Sequence, residues 1–436
     1  MTVAAGRRAA WEVLCAYLVA GDSGRLGTSK RPFPPPRLSA RDRAAAKSLA
    51  EGTVRRRVTL DAVIAKLAKG RRPRPLGLRA ALMLGAYQLL FDPRAPAHSV
   101  VHDAVELARV AAKQGGANFV NAILRRLADA RALDQHLPPP DATDAEALAI
   151  YYSYPTCLVT RWLEERGPTA THALLLAGNE APPLTLRTNP LRTNRDELAA
   201  GLANEGIVTV VGFHPASLIV VETAQTSPLD TEAFRLGLFS VQDSTQTEVV
   251  DLLDLAPGQR VLDFCAAPGG KATAIAEAIG DRGAVLAFDT NSQRLARLGP
   301  EIERLGLTSI APLHARDRLE HELQRSPVDR VLVDAPCSNS GVFAQRSEAR
   351  WRFSEHSLRR LAETQIKILA DACSLLRGPG RVVYATCSIE REENEAVVHA
   401  VLSSLGDSWQ MLSSERILPE LGARSGGGVA VLIRRS

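Results

Sequence analysis

Nowhere in the 436 residues is there an uncharged apolar run near the length needed to cross a bilayer, which argues against a helical membrane span. Cysteine is scarce. Six are present with no regular spacing and no Cys-x-x-Cys, so neither a disulfide framework nor a structural zinc site is expected, and free thiols in a reducing cytoplasm are. Arg7 and Arg8 precede the apolar "VLCAYLVAG", but Glu12 interrupts the segment and no small-residue cleavage pattern follows, so this stretch reads as an amphipathic helix rather than a secretory leader. Two phosphate-binding signatures are also missing. A P-loop would need Gly where Cys265 stands and Ser or Thr where Ala272 stands, and no G-x-G-x-x-G occurs.

What is present is a globular chain, 45% hydrophobic, long enough for two or three domains. Its net charge of +5 conceals an asymmetry: residues 1–135 carry 24 Lys and Arg against 10 acids, a net of +14, and the remainder 29 against 38, a net of −9. A basic module joined to an acidic one points to a polyanionic partner for the first, with "TVRRR" (Arg55, Arg56, Arg57) expected among the phosphate contacts.

From Ala9 to Ala132 apolar residues recur at helical spacing, as in "LDAVIAKLAKG" and "LRAALMLGAYQLLF", which predicts an all-helical domain ended by the linker "HLPPPDATD". After further helices, "PPLTLRTNP" and "ASLIVVET" flank a helical "RDELAAGLANEG" and predict a small α/β insert up to about residue 235. Then strands alternate with helices: "RVLDF", "AVLAFD", "DRVLVD" and "RVVYAT" read as strands of a largely parallel, doubly wound sheet whose ligands bind at the strands' carboxyl ends.

The residues with chemical potential stand at such ends. "FCAAPGGK", Phe264–Lys271, follows a strand and opens a helix, so its glycines let a ligand approach backbone N–H groups. Asp289 ends the next strand, where an acid typically accepts hydrogen bonds from ribose hydroxyls. A nucleoside without a phosphate chain fits both, and S-adenosylmethionine is the common one. Cys337 of "VLVDAPCS" and Cys387 of "VVYATCS" each follow a strand, whereas Cys373 shares an apolar helical face with Ile366, Leu369 and Leu376 and reads as core.

Together, "FSVQDSTQTEVVDLLDLAPGQRVLDFCAAPGGK", "VDAPCSNSGVF" and "YATCSIEREENE" make the chain resemble the RNA cytosine-5 methyltransferases, and within them the Sun-type (RsmB) group that modifies small-subunit ribosomal RNA. "GTVRRRVTLD" and "NFVNAILRRL" resemble the helical RNA-binding fold of the antiterminator NusB. The resemblance implies a multidomain chain: an all-α NusB-like domain at 1–136, linker helices and a small α/β subdomain at 142–235, and a Rossmann-like class I methyltransferase domain at 236–436. A cytoplasmic protein, a monomer and without metal, is expected. The resemblance places the cofactor site on Cys265, Ala266, Ala267, Pro268, Gly269, Gly270, Lys271, Asp289, Asp317 and Asp334, and the nucleophile on Cys387. One departure is the carboxyl end, "SGGGVAVLIRRS", where the family has an Asp-Gly-Phe-Phe-like hairpin.

Two cysteines suit the chemistry so implied. Carbon 5 of cytosine is a poor nucleophile, but a thiolate adding to carbon 6 turns the ring into an enamine that can attack a methyl donor. Cys387 is the expected nucleophile, protonated Asp334 the donor to ring nitrogen 3, and Cys337 the group that assists removal of the carbon-5 proton. "EENE", Glu392–Glu395, reads equally as a first helical turn or as support for the site. Alternatives left open are a related enzyme acting on transfer RNA or DNA and a non-catalytic RNA-binding assembly factor. Amino-group methylation would call for a Pro-Pro-aromatic motif where Pro336-Cys337 stands.

Overall fold

The computed structural model describes residues 3–21, 38–71, 73–224, 226–422 and 424–435. They form two compact units, Met1–Asn179 with Gln345–Ser354, and Glu180–Ala344 with Glu355–Ser436.

The first unit is built from the helices Ala5–Ala20, Ala40–Arg55, Arg57–Leu67, Leu76–Phe91, Ala97–Asp129, Ala145–Tyr152 and Thr156–Ala177. Leu76–Phe91 is apolar nearly all round and is buried at the centre, where Leu78, Leu82, Leu84 and Leu89 join Leu14, Leu60, Val63, Leu107 and Leu124 in one core. Ala97–Asp129 is broken at Ala112 and Lys113, where Lys113 takes a φ of 55° just before Gly115 and Gly116. The short segment Gln345–Ser354 contributes two anchors. Arg350, fully buried, donates to the carbonyls of Ser153 (3.1 Å) and Gly178 (2.6 Å) and to Asn179 Oδ1 (2.9 Å), with its guanidinium 4.0 Å from the Tyr154 ring centroid. Trp351 donates from Nε1 to the Val54 carbonyl (3.1 Å) and carries Arg57 over its ring at 4.0 Å.

These contacts alter the expectation for "TVRRR". Arg55 is only 8% exposed, Arg56 lies 4.5 Å from the Phe91 centroid, and Arg57 covers Trp351. The cations of Arg56 and Arg57 are spread over aromatic faces and Arg55 is buried, so these arginines serve packing more than phosphate.

The second unit holds two sheets. The smaller has β1 (Leu184–Thr188), β2 (Ile207–Val211), β3 (Ser217–Thr223) and β4 (Phe239–Val241) in the order β2-β3-β1-β4, all antiparallel. Helix Arg195–Asn204, capped by Asn194 Oδ1 accepting from the Glu197 amide (2.9 Å), buries Leu198 and Leu202 against Leu186 and Phe239.

The larger sheet has β5 (Arg260–Asp263), β6 (Ala284–Phe288), β7 (Ile310–Leu313), β8 (Arg330–Asp334), β9 (Gly380–Thr386), β10 (Trp409–Ile417) and β11 (Gly427–Arg434), in the order β10-β11-β9-β8-β5-β6-β7. β5 to β9 are parallel; β11 runs antiparallel between β9 and β10. Their apolar centres, Val261, Leu262, Val285, Leu286, Val331, Leu332, Val382 and Val383, are buried on both faces, as a helix-covered parallel sheet requires. The expected fold class is therefore present: a helical amino-terminal part and a Rossmann-like, largely parallel sheet with a small α/β insert. β5 is the switch point, with β6 and β7 to one side and β8 and β9 to the other.

The unusual "SGGG" has a packing reason. A Cβ on Gly427 would stand 2.5 Å from the Thr386 carbonyl oxygen, and one on Gly428 2.0 Å from Asn394 Oδ1. Only glycine lets β11 start this close to the end of β9, immediately before Cys387.

Candidate active site

The loop after β5 begins at Asp263, the last residue of that strand, which is fully buried with neither carboxylate oxygen in a well-formed hydrogen bond. Burial, reinforced by the charge of Asp334, pushes this carboxyl up to about 7. Gly269, at φ 117°, turns the loop into helix Gly270–Ala278; a Cβ there would meet Leu298 Cδ1 at 2.4 Å. Asp289, buried just beyond β6, accepts from the amides of Ala267 (3.1 Å) and Asn291 (2.8 Å), and Arg294 donates to the Ala267 carbonyl (2.7 Å). The half-buried Cys265 thiol is raised by burial and then by the charge of Asp263. The loop is thus braced from its neighbour strand by Asp289, while Asp263 beneath it is answered only by the Lys271 charge and the Cys265 backbone, too weakly to offset burial. Asp317 is exposed in the first turn of helix Arg316–Arg325, after β7, and among the described residues no hydrogen bond or ion pair joins it to the loop.

The Asp263 shift has a measurable consequence in the ligand-free protein. A carboxyl whose folded pKa lies above its unfolded value gives stability that is complete below the unfolded pKa of 3.8 and lost as pH rises through about 7. Asp263→Asn is expected to flatten that pH dependence and to raise stability at about pH 8 by roughly 1–4 kcal/mol, read from urea unfolding at several pH values. An unchanged profile would mean that Asp263 is not titrating there.

Cys337 and Cys387 are brought together because β8 and β9 are adjacent and parallel, with Asp334 beside Ala385. Both thiols are half-buried and neither is in a disulfide. The Cys337 thiol is raised well above its usual range, first by its hydrogen bond to Cys387, then by burial and by the charges of Cys387 and Glu393. Gln246 Nε2 donates to Cys387 Sγ at 3.4 Å, Lys271 Nζ donates to Gln246 Oε1, and Lys271 Nζ donates to Asp334 Oδ2 at 2.7 Å. Burial alone would lower the Lys271 ammonium, but Asp334 and then Cys387 outweigh it and hold it above its ordinary value. Lys271, expected in the cofactor loop, therefore points its charge at Asp334 and the thiols. Lys271 thus sets an ammonium against the carboxyl expected to donate to ring nitrogen 3.

"EENE" divides. Glu395 begins helix Glu395–Leu405, whereas Glu393 is fully buried beneath the first cysteine loop. It accepts from the Ser338 amide (2.9 Å) and hydroxyl (2.5 Å) and from Gln365 Nε2 (2.9 Å), which donates also to the Pro336 carbonyl (2.9 Å). From the other side the Gly341 amide donates to the Cys387 carbonyl (3.0 Å). Both cysteine loops are locked together by backbone.

Asp263, Gln246 and Gln365 were not among the expected site residues. The signal for Asp263 was an acid closing the apolar "RVLD"; Gln246 lay within "FSVQDSTQTE" unremarked.

Comparison with known proteins agrees with this layout. Residues 250–419 match the family described as 16S rRNA methyltransferase RsmB/F, residues 5–129 the NusB family, and residues 154–226 the ferredoxin-like domain of RsmF/B-like methyltransferases. The chain is 33% identical to a probable ribosomal RNA small subunit methyltransferase B of Synechocystis sp., over 90% of this chain and 86% of the relative. It is 32% identical to ribosomal RNA small subunit methyltransferase B of Proteus mirabilis, over 88% of each. A crystal structure of a methyltransferase homolog protein from Pyrococcus horikoshii superposes with a TM-score of 0.59 at 23% identity, over 68% of this chain and 99% of that one, a likeness of fold. A doubly wound sheet with paired thiols at the carboxyl ends of β8 and β9, a ferredoxin-like insert, a NusB domain and relatives matched over most of both chains converge: the chain belongs to the RsmB/F family of 16S rRNA methyltransferases.

Proposed function

We propose that the protein transfers a methyl group from S-adenosylmethionine to carbon 5 of a cytosine in small-subunit ribosomal RNA, through a transient bond between Cys387 and carbon 6 of the base. The observation that carries this reading is the meeting of two thiols at the carboxyl ends of adjacent strands, beside a buried Lys271–Asp334 pair. Neither core packing nor a disulfide explains an ammonium placed there.

The residues around the loop fit the cofactor. Asp263 offers two buried acceptor oxygens without a well-formed bond from the protein, and Asp289 lies at the strand end where ribose hydroxyls are bound in such sheets. Backbone of Cys265 to Gly270 would line the site; Asp317, assigned to it by the family resemblance, is exposed. When bound, S-adenosylmethionine supplies an electrophilic methyl group. The rest belongs to the chain. The Cys387 sulfur adds to carbon 6, the electron pair of the 5,6 double bond moves into the ring, and Lys271, steadied by Asp334, donates toward the charge that builds there. Once carbon 5 carries its methyl, Cys337, having released its own proton to solvent, accepts the carbon-5 proton as a thiolate, and the sulfur–carbon-6 bond breaks to restore the aromatic ring and the Cys387 thiolate. Bisulfite sequencing of ribosomal RNA from a strain lacking the protein tests the reading; no change at any cytosine would overturn it.

For the RNA itself, the exposed cations of the helical unit matter, not "TVRRR". Lys69, Arg71, Arg125 and Arg126 are exposed, and Arg126 donates to the Leu67 carbonyl (3.2 Å), which draws the ends of helices Arg57–Leu67 and Ala97–Asp129 together. Reversing Lys69, Arg71 and Arg125 to Glu is expected to weaken RNA binding at low salt. The logarithmic salt slope should fall by about 0.7 for each phosphate of single-stranded RNA that is no longer neutralised. Filter binding at several salt concentrations measures it, and identical slopes would remove this surface from RNA recognition. Charge reversal is preferable to deleting the helices, which would strip Arg350 and Trp351 of their partners.

A further inference from the structure

Arg187 lies on β1 of the small sheet, 90 residues before the helical glutamate it grips, and is 2% exposed. Its donors are all engaged. Nε donates to Glu277 Oε2 (3.1 Å), Nη2 to Glu277 Oε1 (2.9 Å) and Thr273 Oγ1 (3.2 Å), and Nη1 to the Gly270 carbonyl (3.0 Å) and to Gln242 Oε1. Glu277, Thr273 and Gly270 all belong to the helix that the cofactor loop opens, and Gly270 is its first residue. Lys271, the next residue, carries the ammonium on Asp334. Gln242 follows β4 and is tied back to β1 through its amide on the Thr185 carbonyl (3.1 Å).

The energetics make a purely stabilising role a poor explanation. A buried ion pair recovers its desolvation cost only with excellent geometry, and an apolar pair of similar volume is often as stable. What an apolar pair cannot do is fix the Gly270 carbonyl. That carbonyl belongs to the peptide unit whose other end is the Lys271 amide, so a hydrogen bond that locates it also sets where the glycine turn and the Lys271 side chain begin.

We infer that Arg187 is a positioning residue for methyl transfer: from the ferredoxin-like insert it holds the first turn of the loop helix, and thereby sets the shape of the S-adenosylmethionine site and the aim of Lys271. The inference rests on the cofactor reading given above. It assigns the insert a part in the chemistry that the place of Arg187 in the sequence, 77 residues before Phe264, does not suggest.

The test separates position from stability. Arg187→Met, Arg187→Lys and the double variant Arg187→Met/Glu277→Met are compared with the wild type by urea unfolding and by calorimetric titration with S-adenosylmethionine. The single Met variant is expected to lose stability, because Glu277 is left buried without its partner. The double variant is expected to recover most of that stability yet to bind S-adenosylmethionine about tenfold or more weakly, a displacement of the site by a fraction of an ångström being enough. Arg187→Lys, which keeps a charge for Glu277 but cannot span Gly270 and Gln242 together, is expected to fold and to show the same loss of affinity. Wild-type affinity in either the double variant or Arg187→Lys would overturn the inference and leave Arg187 as a structural ion pair. A wild-type protein that gives no heat with S-adenosylmethionine would instead overturn the cofactor reading itself.

Discussion

Cys387→Ala is expected to abolish methylation, by roughly 10⁴-fold or more, and to form no covalent species with RNA, because removal of a nucleophile removes the whole pathway rather than one step of it. Cys337→Ala is expected to behave differently: it should methylate its RNA at most once and then remain attached to it, giving a slow band on a denaturing gel. The difference follows from the pairing of the thiols. In the free protein the Cys337 thiol is pushed up first by its hydrogen bond to Cys387, then by burial and by any negative charge on that neighbour. In the proposed adduct the Cys387 sulfur is a thioether, which carries no charge and accepts only a weak hydrogen bond. One cause that raises Cys337 is then removed and another weakened, so the thiol becomes easier to deprotonate at the stage when a base is required. Formation of the adduct thus prepares the group that resolves it. A trapped band from Cys387→Ala and none from Cys337→Ala would exchange the two roles.

The parts of this arrangement that the sequence made legible are those encoded locally. The β-branched runs ending in Asp334, Thr386 and Phe288 announced strands, the alternation with helices announced a parallel sheet, and the order of the sheet then put Cys337 beside Cys387. Cys373 could be assigned to the core from its helical face alone, and it is 1% exposed. What was not legible depends on partners remote in sequence. Glu393 reads as a charged residue near a helix start until Ser338 and Gln365, 55 and 28 residues away, are seen to surround its carboxylate. "SEARWR" looks like a polar loop following a cysteine motif, and nothing local shows that Arg350 and Trp351 belong to the core of the helical unit. The arginines at 55–57 count toward net charge in the same way whether they face phosphate or an aromatic ring, so composition could not separate the two. Protonation states are equally non-local. Motif resemblance assigns Asp334 to the reacting ring, but the proposal that Lys271 supplies the proton rests on a partner that arrives from the loop after β5.

That assignment carries the last prediction. Lys271→Met keeps the length of the side chain and its apolar stem while removing the ammonium, so the loop helix should retain its packing. Asp263 and the Cys387 thiol then lose the cation that favours their negative charge, so a charge on either becomes less favourable. Two effects on rate follow in the same direction: fewer molecules hold a Cys387 thiolate at neutral pH, and the charge that builds on the cytosine ring loses its nearest donor. The loss of one such donor typically slows turnover on the order of 10²–10³-fold. In single-turnover experiments the slow step should be adduct formation, and raising the pH should restore part of the rate, since a thiol that is reluctant to ionise responds to alkali. Asp334→Asn in the Lys271→Met background should add little, because the two residues act as one unit and removing either disables it. If Lys271→Met forms the adduct at the wild-type rate and loses only affinity for S-adenosylmethionine, then Lys271 serves the cofactor loop alone and the proton delivered to the ring comes from Asp334 after all.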